Sequence, residues 1–446
     1  MKKINYTRRK FVQLSTAAAG GAAMMPGMVL PRGLSKDQSD IRTLRLGFVG
    51  IGGRGTYHLN CALGMEGIEV PAICEIKPDR LKKAKERIEA AGLPAPKLYG
   101  KNVTDFKRMC DNEQLDAVIC CTSWEWHTPV ALASMNTGKH CVSEVPMVLT
   151  LDEAWQIVET YEKTGKWATI GLEGFGQLAV LNMIRKGMLG DIVHAETGYI
   201  HDLRLVKFSP DEEPWRLQHS INRNGNLYPD HPMNKMLPAL DINHGDRIEY
   251  LVSMSSFGGM LNDYAAVYYK NKNHPLTKKE IKLGNYNASL IKTVNGKMLT
   301  LIHDTSTPHP REHYRIQGTK GVFLGDSYSK KIYIEGISPV EHQWENADKY
   351  LKENEHPVIL SYKPAPRRGG KIEGHGGGGT ETPLIWHRLA TALRENKLPD
   401  WDVYDSVTSG AISPITEASV AERGKPVDFP DFTKGKWKTR PQINLD

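Results

Sequence analysis

The sequence predicts an α/β protein of two domains, first a parallel sheet wrapped by helices and then a mainly antiparallel sheet, and three observations carry that expectation. A chain of 446 residues with 40% apolar composition is too long for one ordinary domain and rich enough in apolar side chains to fill two cores. From Thr43 to about Gly174, short β-branched runs alternate with helical stretches, the pattern of parallel strands joined by helical crossovers. Beyond that point the runs lengthen and alternate in polarity, and Asn295-Gly296 separates two of them as a turn between antiparallel strands would.

Residues 1–36 read as an address. Thr7-Arg8-Arg9-Lys10-Phe11-Val12-Gln13 places a twin arginine before the Ala/Gly-rich, weakly apolar run 14–30, which is too short and glycine-rich for a comfortable membrane span. The expectation is a twin-arginine export signal and linker, a periplasmic or otherwise exported protein, and no membrane insertion once the signal is removed. The same segment explains the charge. The formal net charge is +7, and residues 1–36 hold seven Lys and Arg and no acid, so the remainder carries 51 basic against 51 acidic residues. A neutral mature chain gives no electrostatic reason to bind nucleic acid or an anionic membrane.

The first domain is expected over 40–174. Its strands are read at 44–49, 68–74, 115–121, 140–143 and 167–172, and a helix at 78–91 opens on Pro78 with Leu81 and Ile88 on one face. The six cysteines fall in this region, mostly on buried strands. Cys120 and Cys121 would point to opposite faces of one strand, and no spacing matches a disulfide or zinc framework, so all six are read as core residues. The second domain is expected over 175–446. It contains a strand at 193–201, the hairpin 288–294 with 297–303, a glycine-rich loop at 367–379, and a helix at 380–396 that can pack back on the first domain.

Gly50, Gly52 and Gly55, with Gly53 and Arg54 between them, form G-x-G-x-x-G directly after a strand and at the mouth of a helix. The pattern alone is weak. It gains force from Glu75, which ends the next strand about twenty residues further on, where a carboxylate accepts hydrogen bonds from ribose hydroxyls. The glycines let the backbone approach a pyrophosphate whose charge the helix N-terminus favours. A carboxylate there repels a 2′-phosphate, so the expected cofactor is NAD, on a Rossmann domain.

The run Cys121-Thr122-Ser123-Trp124-Glu125-Trp126-His127-Thr128-Pro129, followed by Gly138-Lys139-His140-Cys141-Val142-Ser143-Glu144-Val145-Pro146, resembles the glucose-fructose oxidoreductase/inositol dehydrogenase superfamily. More narrowly, Trp124 to His127, Glu144-Val145-Pro146, Asn226-Leu227-Tyr228-Pro229-Asp230-His231 and Val427-Asp428-Phe429-Pro430-Asp431-Phe432 resemble the NAD-dependent α-N-acetylgalactosaminidases of glycoside hydrolase family 109. The resemblance runs from the export signal to Trp437. It implies a Rossmann domain followed by an α/β domain whose large open sheet carries the substrate and offers a face for homo-oligomer formation. It also implies cofactor contacts at Gly50 to Gly55, Glu75, Trp124, Glu125, Trp126, His127, Glu144, Val145 and Gly174.

Dehydrogenases of the superfamily move the hydroxyl proton with a lysine in Glu-Lys-Pro. Here that place is Val145, which cannot titrate, so an ordinary dehydrogenase is disfavoured unless another group supplies the base. The glycosidase chemistry implied by the resemblance uses NAD as a catalyst: transient oxidation at C3 acidifies C2, the aglycone is eliminated from C1, water adds, and C3 is reduced again. Tyr228 and His231 match the family's active-site tyrosine and histidine at the same spacing and offer one high-pKa and one near-neutral proton carrier. His375, in a run of glycines, is read as an acid or base near the leaving group, and Arg216 as a contact to sugar hydroxyls or a carbonyl. At 173–177 the family has Glu-Asn followed by Cys-Cys-Tyr, whereas this chain has Glu173-Gly174-Phe175-Gly176-Gln177. Gly174 thus stands where an asparagine meets the cofactor and Gln177 where a tyrosine meets the sugar. A further family tyrosine has no counterpart near His309-Pro310-Arg311-Glu312.

Two competing classes stand beside the glycosidase. One is an NAD-dependent sugar dehydrogenase or oxidoreductase, which Val145 argues against. The other is a catalytically silent sugar-binding protein, which the set of Tyr228, His231 and His375 argues against. No pair among the sixteen histidines has a recognised ligand spacing, so no metal is expected.

Overall fold

The computed structural model describes residues 41–174, 176–311, 313–326, 329–363, 381–443 and 445. The export signal read at 1–36, the glycine loop at 367–379 and His375 lie outside the described residues.

The first half is a six-stranded parallel sheet of β1 (Leu44–Val49), β2 (Ile68–Cys74), β3 (Lys97–Tyr99), β4 (Ala117–Cys120), β5 (His140–Ser143) and β6 (Ala168–Thr169). Its order is β3-β2-β1-β4-β5-β6, that of the doubly wound dinucleotide fold. The crossovers are α1 (Gly53–Leu63), α2 (Pro78–Ala90), α3 (Asp105–Asn112), α4 (His127–Asn136) and α5 (Leu151–Thr164). Central strands read as near-continuous apolar runs because helices cover both faces: Leu46, Phe48, Val118 and Ile119 are all buried. Helix α5 opens with a reciprocal capping box between Thr150 and Glu153 and closes on Gly165 at φ +66°.

Two features escape the sequence pattern. Strand β3 is an edge strand whose Lys97 and Leu98 are exposed, so it lacks the apolar alternation that marks the others. The strand read at 167–172 narrows to Ala168–Thr169 because the Ile170 amide leaves the ladder to donate to Ser406 Oγ at 3.2 Å. All six cysteines are buried free thiols, and burial pushes Cys74 up to about 12 and Cys120 to about 11.

The second half runs α6 (Leu178–Arg185), β7 (Ile192–Ile200), α7 (Arg204–Phe208), α8 (Trp215–Asn222), α9 (Asp230–Leu240), β8 (Ile248–Ser255), α10 (Met260–Tyr268), β9 (Asn287–Thr293) and β10 (Met298–Asp304). It continues with β11 (His313–Gly318), β12 (Gly321–Asp326), β13 (Lys330–Ile334), β14 (Glu345–Asn346), α11 (Asp348–Glu353), α12 (Pro357–Ser361), α13 (Glu381–Glu395), α14 (Val403–Ala421) and β15 (Val427–Asp428). The sheet order is β14-β13-β12-β11-β7-β10-β9-β8-β15, with every pair antiparallel except β7 beside β10. In the β9–β10 hairpin only Gly296 takes positive φ, at +90°, and its amide donates to Thr293 O at 3.0 Å. The turn therefore closes over one more residue than the mirror-image two-residue turn that Asn-Gly most favours.

Helix α14 joins the halves. It is buried along almost its whole length, and its small polar residues satisfy backbone on both sides: Ser406 accepts from Ile170, and Ser419 from the Ser253 amide at 2.8 Å. A Cβ at Gly410 would stand 2.9 to 3.2 Å from Val148, so the helix lies close against the first sheet's loops. Helix α13 rests on the first domain, where the Tyr57 hydroxyl donates to Thr382 Oγ1 at 3.0 Å and the Arg42 guanidinium to Leu393 O at 2.9 Å. No helix among the described residues is long and apolar enough to cross a membrane.

Candidate active site

The turn from β1 to α1 forms a cradle. Gly50 takes φ +84°, and a Cβ there would stand 2.6 Å from Cys121 O; at Gly55 it would stand 2.0 Å from Gly50 O. Both positions thus require glycine, one for the turn and one for close helix–strand packing. At Gly52 the nearest atom to a Cβ is the tip of Arg80, at 3.3 Å, so this side of the loop is the one open to a ligand at the helix N-terminus. Glu75 is buried at the end of β2 and accepts from the Ile51 amide at 2.7 Å and the Lys77 amide at 2.9 Å. Each oxygen keeps a further lone pair, so the carboxylate both fixes the loop and can accept from a ribose. The residues present fit an adenine dinucleotide.

The other cofactor residues named from the sequence gather along the same edge. Trp124 to Trp126 make one 3₁₀ turn after β4, and His127 opens α4 with its ring between Pro146 O at 2.7 Å and Thr122 O at 3.1 Å. That bridge ties the loop after β4 to the loop after β5. Glu125 is exposed, 3.9 Å from His219 Nε2. Glu144 is buried and bound by Arg54 at 2.8 to 2.9 Å and His58 Nε2 at 2.7 Å. Against the cost of burial, these partners hold its carboxyl well below the usual carboxylate range. Arg54 therefore turns from the glycine loop toward Glu144. Val145 beside it is a buried apolar side chain.

Tyr228 stands at the centre of an aromatic cluster. Its ring stacks on Trp124 with centroids 5.0 Å apart and meets Tyr199 and His231 edge-on at 4.7 and 4.6 Å. The Arg216 guanidinium lies 4.9 Å from the Tyr228 ring centre and 5.0 Å from that of Trp124, and it is ion-paired with Glu213. Burial holds the Tyr228 phenol well above the ordinary tyrosine range while Arg216 pulls the other way. His231 Nδ1 bonds Glu173 Oε2 at 2.6 Å, which leaves Nε2 as the atom able to hold or move a proton. Gln177 precedes α6 in the left-handed region at φ 52°, and the Gly174 carbonyl accepts from the Asn234 side chain.

The structure thus brings Trp124, Arg216, Tyr228 and His231 together, near enough to Glu144 for its charge to act on Tyr228 and His231. Four residues of the site were not singled out from the sequence. Tyr199 stacks on His231 at 4.9 Å, and Glu173 is its carboxylate partner. Glu173 lies just past the last parallel strand, where such sheets place functional side chains, and that position was its only signal. Asp230 is fully buried, and burial pushes its carboxyl up to about 7. Lys207 is buried on α7. No group of three or more His, Cys, Asp or Glu among the described residues could hold a metal.

The Rossmann cradle with an acid at the end of β2, opening beside a cluster of proton carriers, defines an NAD-dependent enzyme. Residues 44–172 match the NAD-binding Rossmann fold of the oxidoreductase family, and residues 175–439 match the C-terminal domain of glycosyl hydrolase 109. The chain is 37% identical to a glycosyl hydrolase family 109 protein of Shewanella pealeana over 96% of this chain and 91% of that one. It is 34% identical to an alpha-N-acetylgalactosaminidase of Tannerella forsythia over 97% of both. The chain belongs to glycosyl hydrolase family 109. Among solved structures it shares its fold with a levoglucosan dehydrogenase bound to NADH and levoglucosan, with TM-score 0.63, 18% identity and coverage of 87% of this chain and all of that one. An inositol dehydrogenase homolog of Azotobacter vinelandii bound to NAD+ aligns with TM-score 0.65 and 19% identity, over 87% of this chain and 98% of that one.

Proposed function

We propose that the chain hydrolyses a glycoside by oxidation at C3, elimination of the aglycone, hydration and reduction, with an α-N-acetylgalactosaminide as the first substrate to try. The single observation that carries this reading is the replacement of a titrating base at Val145 by two separate proton carriers, Tyr228 and the Glu173–His231 pair, whose rings meet at 4.6 Å. An overall oxidation needs one base for one hydroxyl proton. The glycosidase sequence needs a group at the C3 hydroxyl and a second one for the C2 proton.

NAD, when bound, supplies the acceptor for the C3 hydrogen and returns that hydrogen at the end of the cycle. The Gly50 to Gly55 loop and Glu75 would hold it. Tyr228 holds or moves the proton of a sugar hydroxyl, with Arg216 favouring the ionised form. His231 removes and returns the C2 proton through Nε2, and Glu173 fixes the ring through Nδ1. Trp124 and Tyr199 keep these groups in register and exclude water. Gly174, one of the positions that differ from the family, follows Glu173 directly, and its carbonyl accepts from Asn234, three residues past His231, so substrate preference can depart from the family's while the chemistry is retained. Purified protein incubated with a panel of aryl glycosides and no added cofactor tests the reading: released sugar without net NADH is expected, and a free keto-sugar with accumulating NADH would overturn it.

We also propose that residues 1–36 direct export by the twin-arginine route, supported by the Arg8-Arg9 motif, and that the outer face of the second sheet pairs with a second copy. That face presents Val193, Met254, Leu290 and Met298, each at least 39% exposed. Cell fractionation after Arg8→Lys with Arg9→Lys, and mass measurement in solution after Leu290→Glu, check the two proposals; secretion or mass unchanged by these substitutions would remove them.

A further inference from the structure

Lys207 is 3% exposed and its Nζ donates to Thr305 Oγ1 at 2.9 Å; it forms no ion pair among the described residues. A buried ammonium without a carboxylate is costly, and such a lysine is kept neutral or put to use. It lines a cavity with about 10 Å³ open to a water centre, shared with Tyr228, Arg216, His219, His303 and Thr305. That is room for about one water, with enough polar partners to hold it.

We propose that Lys207 is a positioning residue that exchanges a proton with Tyr228 through one water in this cavity, taking the place of the base that Val145 cannot provide. The inference rests on the reading of Tyr228 as the group at the sugar hydroxyl. The relay carries a proton only. The substrate O–H bond breaks as an O–H bond forms on Tyr228, the phenol's own proton passes to the water, and one water proton forms the third N–H bond of Lys207. No electron enters or leaves the protein, and the positive charge ends on the ammonium. The reverse sequence returns the proton when the hydroxyl is restored.

The electrostatics suit this task. Burial first, and then Arg216, bring Lys207 down to about 7, so the neutral amine is available near neutral pH. Asp304 and Asp202 act in the opposite direction. His303, buried beside the amine, is pushed down to about 3 and remains neutral, so it does not compete as a cation. His219 lies on the far wall against Trp124, with ring centroids 4.7 Å apart.

Lys207→Met removes the amine while keeping an apolar stem of similar length, and Thr305→Val removes only the hydrogen-bond acceptor. With the NAD-loaded protein and an aryl glycoside that it cleaves, Lys207→Met lowers kcat at pH 7 by on the order of 100-fold with KM within about threefold. It also abolishes the rise of kcat with pH through about 7, and Thr305→Val shifts that rise. A readout independent of turnover is nuclear magnetic resonance of protein labelled with ¹⁵N-lysine. One ammonium signal is expected to titrate between about pH 6 and 8, to vanish in Lys207→Met, and to change midpoint in Tyr228→Phe. A pH profile unaltered by Lys207→Met, or a midpoint indifferent to Tyr228→Phe, would overturn the relay. Failure of every glycoside to react would instead strike the proposed function, while the lysine titration would still decide the coupling.

Discussion

Glu173→Gln is the sharpest test of the site's geometry, because Glu173 was placed beside His231 by folding and not by sequence proximity. The contact is a 2.6 Å bond between a 9% exposed carboxylate and His231 Nδ1. A hydrogen bond to a charged group contributes about 1.5 to 3 kcal/mol, and that contribution matters most when the imidazole becomes positive during proton transfer. Glutamine keeps the shape and can still accept from Nδ1, but it removes the charge. The expected loss in kcat is therefore roughly 10- to 150-fold. KM should move by less than about threefold, since the residue acts through His231 and not on bound sugar. The assay is steady-state release of an aryl aglycone, with the NAD content of each preparation measured after denaturation. A kcat within twofold of wild type would refute the argument that the pair works as a unit. A variant stripped of NAD would show instead that Glu173 serves the cofactor.

His231→Ala should slow turnover by on the order of 100-fold or more, the usual worth of a positioned acid or base, measured in the same assay. Glu75→Ala should weaken NAD binding by about 1 to 3 kcal/mol by calorimetry, since the ribose and the Ile51 and Lys77 amides lose one acceptor together; unchanged affinity would mean that the ribose is held elsewhere. Gly55→Ala sets a Cβ 2.0 Å from the Gly50 carbonyl oxygen, which only backbone movement relieves, so the purified variant should carry little or no NAD. Asp230, raised to about 7, binds its proton more tightly folded than unfolded. The associated stabilisation is complete below about pH 4 and is lost as pH rises through about 7. Asp230→Asn, which cannot ionise, should therefore gain melting temperature relative to wild type as pH rises from about 5 to 8 and show little gain near pH 4; a pH-independent difference would refute the assignment.

The parallel sheet was legible because its strands are buried on both faces and announce themselves as short apolar runs, and because Gly50, Gly52, Gly55 and Glu75 have a spacing that only a strand–helix turn explains. Strand β3 was not, since an exposed edge strand carries no such run. The site was legible where its residues cluster in sequence, as Tyr228 and His231 do. Glu173 and Tyr199 were hidden for the opposite reason: each reaches the cluster from a different strand end, and nothing local in the chain distinguishes them from structural residues. Lys207 was hidden because its surroundings, Arg216 on α8 and Thr305 just past β10, come from distant parts of the chain, and a lysine between Val206 and Phe208 carries no local sign that its ammonium is buried. At Arg54 the fold adds something that the motif does not contain. The residue belongs to the glycine loop by sequence but pairs with Glu144 across the site.

The order of bond-breaking at the sugar is the central claim, and the C2 hydrogen reports on it directly. When an aryl glycoside is cleaved in deuterium oxide, oxidation followed by elimination and hydration removes the C2 hydrogen and replaces it from solvent, whereas the C3 hydrogen is kept. A hydrolase working by direct displacement at C1 never breaks the C2 bond. Mass spectrometry and proton magnetic resonance of the released sugar should find deuterium at C2 and none at C3. Released sugar that retains protium at C2 would contradict the account.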